Sequence, residues 1–478
     1  MTELSRRTFV AAALAAAAKL AVPPAFGATP VFQAGAAAVD ITPEPGVNVD
    51  GVIARSGPGK GAHDRLHARS LVLDDGATRL VLTICDVRMI GRRICDDAKR
   101  LAAKQANVPE SNILIAATHT HAAPTPIDLF DDEPYLRWQQ TVIEGIAASI
   151  VQAVSNLAPA KLGRGSMRKP EYCFNRRWKL RPDATMPPNP FGGTSDQVLT
   201  NPGGRRDKLL EPAGPVDDEL SIISVRRASD DRPIAVMGNY STHYVGGYAG
   251  QLVSSDYYGA FSEGVKQALA GSGEPPFVAM MSNGTSGDVN TIDFTAKPDA
   301  SPPWTRMAAV AQDMAASAVA LVKSIEHRST IRLGAAVREI ELGVRKPDAE
   351  RVAWAESIST DAAKNKGFPG MYARETLAMV KYPDRVKLLV QAMRIGEFAI
   401  AAMPCEVFAE TGLHIKQNTP VKPTINIGLA NGYNGYLPTP EQHALGGYET
   451  WNARTSYLEV EASTKLRDTA LALLAAIK

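Results

Sequence analysis

The sequence predicts an α+β fold, a mixed β-sheet with surrounding helices and a candidate site at its strand ends. Three observations predict it. Short β-rich runs recur as hairpins. Stretches with helical spacing of apolar residues separate them. Polar clusters containing His, Asn or Glu repeatedly follow the apolar runs, the place where a rigid scaffold presents its site. The 478 residues contain no internal repeat and no clear linker, so one domain filling residues 28–478 is expected. A 45% hydrophobic and 21% charged composition suits a soluble globular chain with a sizeable core. Lys plus Arg is 52 against 50 for Asp plus Glu, so no basic surplus points to nucleic acid. Cys85, Cys95, Cys173 and Cys405 are too few and too scattered for a disulfide scaffold or a paired-cysteine zinc knuckle.

The elements follow in order. Ser5-Arg6-Arg7-Thr8-Phe9 precedes an apolar run at 10–22 and the small residues around Gly27, which together read as a signal peptide over residues 1–27. The paired arginines resemble a twin-arginine signal, so the Tat export machinery is an expected partner and the periplasm or exterior the expected location. The run is shorter than the roughly 20 residues that span a bilayer, and no transmembrane segment is expected in the mature chain. Residues 68–74 and 78–87 form a hairpin around Asp75-Gly76-Ala77, and 93–105 has a helical pattern. A short apolar strand at 113–117 runs into Thr118-His119-Thr120-His121, and 135–157 is helical. Residues 182–215, rich in Pro, Gly and Asn, read as a long surface loop or lid. A second hairpin, 220–226 with 234–237, leads to His243. A strand at 277–281 leads to Gly284-Thr285-Ser286-Gly287-Asp288. Strands 385–395 and 398–403 pair around Gly396 and end at Glu406; 425–429 leads to Asn431, and 463–476 closes the chain as a helix.

Alternate residues on a strand point the same way, so His119 and His121 can face one site. Neutral imidazoles there serve equally as metal ligands, as a general base, or as a hydrogen-bonded pair at a strand end. His243 and Glu406 also follow apolar runs, and a catalytic zinc needs three or four N or O ligands with one open position. The Gly284–Asp288 stretch lacks the final glycine of a nucleophile elbow and reads instead as a turn bringing backbone N–H groups near a site. No Walker A loop, dinucleotide-binding glycine motif or HExxH pair is present. Arg65 and Arg69 are read as salt-bridge partners, His327 and His414 as structural, and Cys405 as a small buried hydrophobe.

Taken in order, Val39-Asp40-Ile41-Thr42-Pro43, His67–Val72, Thr118–His121 with Pro124, and Phe174-Asn175-Arg176 resemble the neutral/alkaline ceramidase family. The resemblance continues through Asn239–His243, Gly287-Asp288-Val289-Asn290, Met403-Pro404-Cys405-Glu406 and Asn431–Tyr436. It covers roughly residues 32 to 460, the family's N-terminal catalytic domain in a short form without its C-terminal β-sandwich. The resemblance implies a zinc amidase that cleaves ceramide, with a lipid or other small-molecule substrate. It implies zinc ligands His119, His243, Glu406 and Tyr436, with Tyr433 in the same motif. His121, Arg176 and Tyr448 match positions around the scissile amide, and Asn290 stands where the family has a serine. Asparagine donates and accepts hydrogen bonds but is no nucleophile. An ester, lactone or glycan derivative is the alternative substrate, and a non-catalytic metal binder the alternative class.

Overall fold

The computed structural model describes residues 31–53, 56–128, 131–270 and 276–478. The expected signal peptide lies outside them. Val31–Lys478 forms one compact unit.

Its central sheet has eight strands. They are β1 (Gln33–Asp40), β2 (His67–Asp74), β3 (Arg79–Cys85), β4 (Ile113–Ala117), β5 (Ala158–Arg168), β6 (Glu219–Arg227), β7 (Pro233–Tyr240) and β8 (Val278–Asn283). Their spatial order is β8-β7-β6-β5-β1-β2-β3-β4. The two edge pairs, β8 with β7 and β4 with β3, are parallel, and the pairs between them antiparallel. A second sheet runs β9 (Leu333–Gly343), β10 (Arg385–Ile395), β11 (Phe398–Ala402) and β12 (Thr424–Ile427), with only the last pair parallel. The mixed sheets and flanking helices are the α+β class the sequence predicts.

Period-two alternation explains the layering. Every residue of β4 is buried, because Leu114 and Ala116 face the second sheet while Ile113, Ile115 and Ala117 face helices. On the helix side, α1 (Arg92–Ala106) and α2 (Glu133–Ser155) cover β1–β4. The other half is covered by α3 (Asp256–Leu269) and α4 (Thr305–Ser324). The outer face of the second sheet packs on α5 (Ala409–Asn418) and α6 (Ala462–Ala476). Helix α2 starts where Asp132 accepts a hydrogen bond from the Tyr135 N–H, a cap worth about 1 kcal/mol. Among the described residues no helix is long and apolar enough to cross a membrane.

Both predicted hairpins of the central sheet form, as does the pair around Gly396. The 182–215 stretch is more ordered than a plain loop. Val198–Thr200 and Leu209–Pro212 flank Arg177–Leu180 in a three-stranded sheet. The strands are too short for alternation to reveal them. The central sheet curls so that its edges approach: the Asn283 amide of β8 donates to Thr118 O just past β4. The segment after β12 bridges both edges, with Gly428 N–H bonded to Asn283 O and Leu429 O accepting from Ala117 N–H.

Candidate metal centre

Three strand ends deliver three donors to this junction. His119 lies two residues past β4, His243 three past β7, and Glu406 four past β11. The Nε2 atoms of His119 and His243 each stand 3.3 Å from Glu406 Oε2. His119 does not reach this point by strand alternation, as the sequence suggested. Its φ of +78° turns the chain out of β4, and its N–H bonds to Val87 O. The turn, rather than a strand face, brings His121 Nε2 to 3.2 Å from His119 Nε2.

The other ring nitrogens fix the orientation. His119 Nδ1 lies 2.7 Å from Arg88 O, and His243 Nδ1 lies 2.5 Å from Ser286 O and 3.0 Å from Val289 O. Carbonyls only accept, so each Nδ1 carries the proton and each Nε2 presents a lone pair toward Glu406. Glu406 and both histidines are buried, and neither His243 Nε2 nor Glu406 Oε2 has a hydrogen-bond partner among the described residues. Burial and the Arg176 guanidinium push the His243 imidazole down to about 4, so it stays neutral. Lone pairs converging at 3.3 Å with no proton between them repel, and a cation among them removes the conflict. The donor set, two imidazoles and a carboxylate, suits zinc.

Glu406 is held by close backbone packing. It lies in the two-residue strand Glu406–Val407, paired in parallel with Tyr436–Leu437. Gly287 packs so tightly against it that a Cβ there would stand 2.4 Å from Glu406 O. The glycine-rich turn therefore plays a different part from the one the sequence suggested. It offers carbonyls, with Ser286 O orienting His243 and Gly287 O accepting from Arg176 Nη2 at 2.8 Å. Its Gly287 N–H is spent on Val407 O.

The remaining predicted site residues fall on two sides. Tyr433 donates its hydroxyl to Glu406 Oε1 at 3.0 Å. Tyr436, the register partner of Glu406, is buried with the Arg176 guanidinium 5.3 Å from its ring centre. Tyr448 meets the Tyr436 ring edge-on at 5.7 Å, and burial raises its hydroxyl so that it stays protonated. Arg176 Nε donates to Glu449 Oε1 at 2.9 Å. His121, half-buried, stacks on Tyr244 at 3.8 Å, and burial and Arg88 hold it well below the ordinary histidine range. Asn290 is turned to the 182–215 segment: its amide donates to Asn201 Oδ1 at 2.8 Å, and its oxygen accepts from the Ile292 N–H at 2.9 Å. Arg69 pairs with buried Asp86, Arg65 with exposed Asp40, and His327 with Ser224, all structural as expected. All four cysteines are free and buried.

Sequence reading missed Arg88, Tyr244 and Glu449. Arg88 follows the apolar run of β3 as His243 follows β7, so the same strand-end rule points to it. Tyr244 simply adjoins His243. Glu449 has no local signal.

Fold and site together define an α+β protein with a histidine–carboxylate centre suited to a divalent metal. Residues 32–184 match the family described as neutral/alkaline non-lysosomal ceramidase, N-terminal. The chain is 23% identical over 465 residues to a neutral ceramidase of Mycobacterium tuberculosis, covering 81% of this chain and 68% of that one. It is 30% identical over 176 residues to a neutral ceramidase of Pseudomonas aeruginosa, covering 34% and 26%. A crystal structure of neutral ceramidase from Pseudomonas aeruginosa superposes with a TM-score of 0.66 at 19% identity, over 93% of this chain and 74% of that one. A ceramidase complexed with C2 superposes at 0.68 with 17% identity. Over residues 32–184 the chain is similar to the neutral/alkaline ceramidase family, and its fold is that of the neutral ceramidase structures.

Proposed function

We propose that this protein is a zinc-dependent hydrolase that cleaves the amide of ceramide or a closely related N-acyl compound. The observation that carries the reading is the buried convergence of His119 Nε2, His243 Nε2 and Glu406 Oε2 without a proton to share. His119, His243 and Glu406 would hold the metal, with Tyr436 of the resemblance as fourth ligand. Zinc bound there supplies Lewis acidity toward a carbonyl and makes water nucleophilic near neutral pH.

The chain's own residues supply the rest. Tyr448, whose hydroxyl keeps its proton, donates to the carbonyl oxygen as negative charge builds on it. His121, neutral and set by its stack on Tyr244, takes a proton at Nε2 and returns it to the departing nitrogen. Arg176 is immobilised between Glu449 and Gly287 O, so its positive charge is fixed beside the site. Asn290 orders the 198–208 segment beside the site rather than reacting. Arg6-Arg7 and the following apolar run support twin-arginine export to the periplasm, testable by the position of the mature N-terminus.

The deciding experiment is hydrolysis of a fluorescent ceramide by zinc-loaded protein, with a chelated sample beside it and zinc content measured in His243→Ala and Glu406→Ala. Chelator-sensitive cleavage, and loss of both zinc and turnover in the variants, is expected. Full zinc occupancy in either variant overturns the ligand assignment. No cleavage by zinc-loaded protein overturns ceramide as the substrate.

A further inference from the structure

One carboxylate holds the loop behind His121. Residues 244–249, which follow His243, form neither helix nor strand, and Gly246 and Gly247 take φ of +81° and +76°. Such a backbone has little shape of its own. Its shape comes from Asp256, the buried first residue of α3. Asp256 Oδ1 accepts from the Val245 N–H at 3.0 Å and the Tyr257 N–H at 2.5 Å. Oδ2 accepts from the Gly246 N–H at 3.0 Å and from the Tyr248 hydroxyl. Hydrogen bonds to an ionised acceptor are about twice as strong as neutral ones, so this single side chain outweighs the freedom of the two glycines.

The same stretch braces the backbone of His121. Thr120 Oγ1 donates to Ser254 O at 2.6 Å, and the Ser254 N–H donates to Ala122 O at 2.9 Å. Both chain neighbours of His121 are thus tied to a residue two before Asp256. On the ring side, Tyr244 stacks on His121 at 3.8 Å and 19°, and Tyr248 stacks on Tyr244 at 6.0 Å and 23°. Tyr248 and His121 line one cavity of about 200 Å³. His121 is therefore held by its backbone from one side and by its ring face from the other, and Asp256 joins the two. The φ of +55° at Asp256 is one that aspartate and asparagine tolerate and most residues do not.

We propose that Asp256 is a positioning residue for the reaction, fixing the Tyr244–Tyr248 loop against the Ser254 anchor so that the His121 imidazole stays aimed at the metal centre. The assignment rests on the hydrolase reading above and adds the residue that orients its proton carrier. Without the carboxylate, Val245, Gly246 and Tyr248 lose their common acceptor and Tyr244 leaves the His121 face. The imidazole is then free to turn from its 3.2 Å approach to His119 Nε2.

Asp256→Asn tests this, since it keeps the size and the backbone conformation but offers one acceptor oxygen instead of two. With zinc-loaded protein and a fluorescent ceramide, kcat per bound zinc should fall about 10- to 100-fold, the scale of misplacing a catalytic group by about an ångström. A merely structural role would lower the folded fraction and leave kcat per bound zinc unchanged. In a His121→Asn background the same substitution should cost nothing further, because a residue acting through His121 has nothing left to place. Tyr248→Phe removes one of the bonds, should give a smaller loss, and serves if Asp256→Asn fails to fold. The ring-current shift of the His121 Hε1 proton, read by NMR on histidine-labelled, chelated protein, reports the stack on Tyr244 without turnover. It should relax toward the free-histidine position in both variants. A relaxed shift with no hydrolysis by the wild type upholds the positioning of His121 and sinks the hydrolase reading. An unmoved shift, or equal losses from Asp256→Asn with and without His121, overturns the role of Asp256 and leaves the hydrolase reading intact.

Discussion

Glu449 holds two buried guanidiniums at once: Arg176 Nε donates to its Oε1 at 2.9 Å, and Arg177 Nη1 to its Oε2 at 2.7 Å. Thr200 adds a hydroxyl to Oε2 at 2.7 Å, so one carboxylate ties the site to the small three-stranded sheet. Burial works to raise this carboxyl, but Arg176 and Arg177 outweigh it and keep it ionised. Replacing Glu449 by Gln leaves two cations facing each other without a countercharge. We expect a loss of about 3–5 kcal/mol, read by denaturant unfolding. Arg176→Met should cost less, because Arg177 keeps its partner. Equal costs would show that the two arginines do not share this carboxylate.

Tyr433 and Tyr436 separate by experiment. The Tyr433 hydroxyl contacts Glu406 Oε1, so Tyr433→Phe should weaken zinc binding by about 10-fold, as loss of a hydrogen bond to a metal ligand typically does. Competition with a chromophoric chelator measures it. Unchanged affinity would mean that Glu406 needs no such support.

Asn290 anchors the segment that carries Asn201. Asn290→Ala removes two hydrogen bonds and should cost about 1–3 kcal/mol. It should also speed tryptic cleavage at Arg205 and Arg206. In Asn290→Ser the side chain is too short to reach Asn201, and this variant should loosen the segment as well. Tryptic patterns indistinguishable from the wild type in both variants would refute the anchoring role.

His443 gives the chain an acid-side instability. Burial pushes its imidazole down to about 3, against an ordinary 6.5. Between those values the unfolded chain takes up a proton that the folded chain refuses, so stability falls as pH drops from 6.5 toward 3. One such proton contributes at most about 1.4 kcal/mol per pH unit. His443→Gln should flatten the lower limb of a plot of stability against pH. A limb of unchanged slope would show that His443 titrates alike in both states.

Local pattern was enough for much of the fold. The hairpins, β4 and α6 were legible because alternation and helical spacing are written in consecutive residues. β1 was not, since Ala34 to Ala38 is a poor strand former that pairs because β2 and α2 enclose it. The two-residue strands Glu406–Val407 and Tyr436–Leu437 lie below the length at which any periodicity shows.

The sequence alone determined the fold class, the segments that end in polar clusters, and the residue types able to bind metal, because these follow from composition and short-range order. Tertiary structure decided which of those clusters meet. His119, His243 and Glu406 converge only because the central sheet curls and the second sheet's strand ends dock between its edges. Packing placed the Tyr433 hydroxyl on Glu406 and sent Asn290 to Asn201. Such outcomes depend on distances of a few ångströms between residues far apart in the chain, and no local periodicity encodes them.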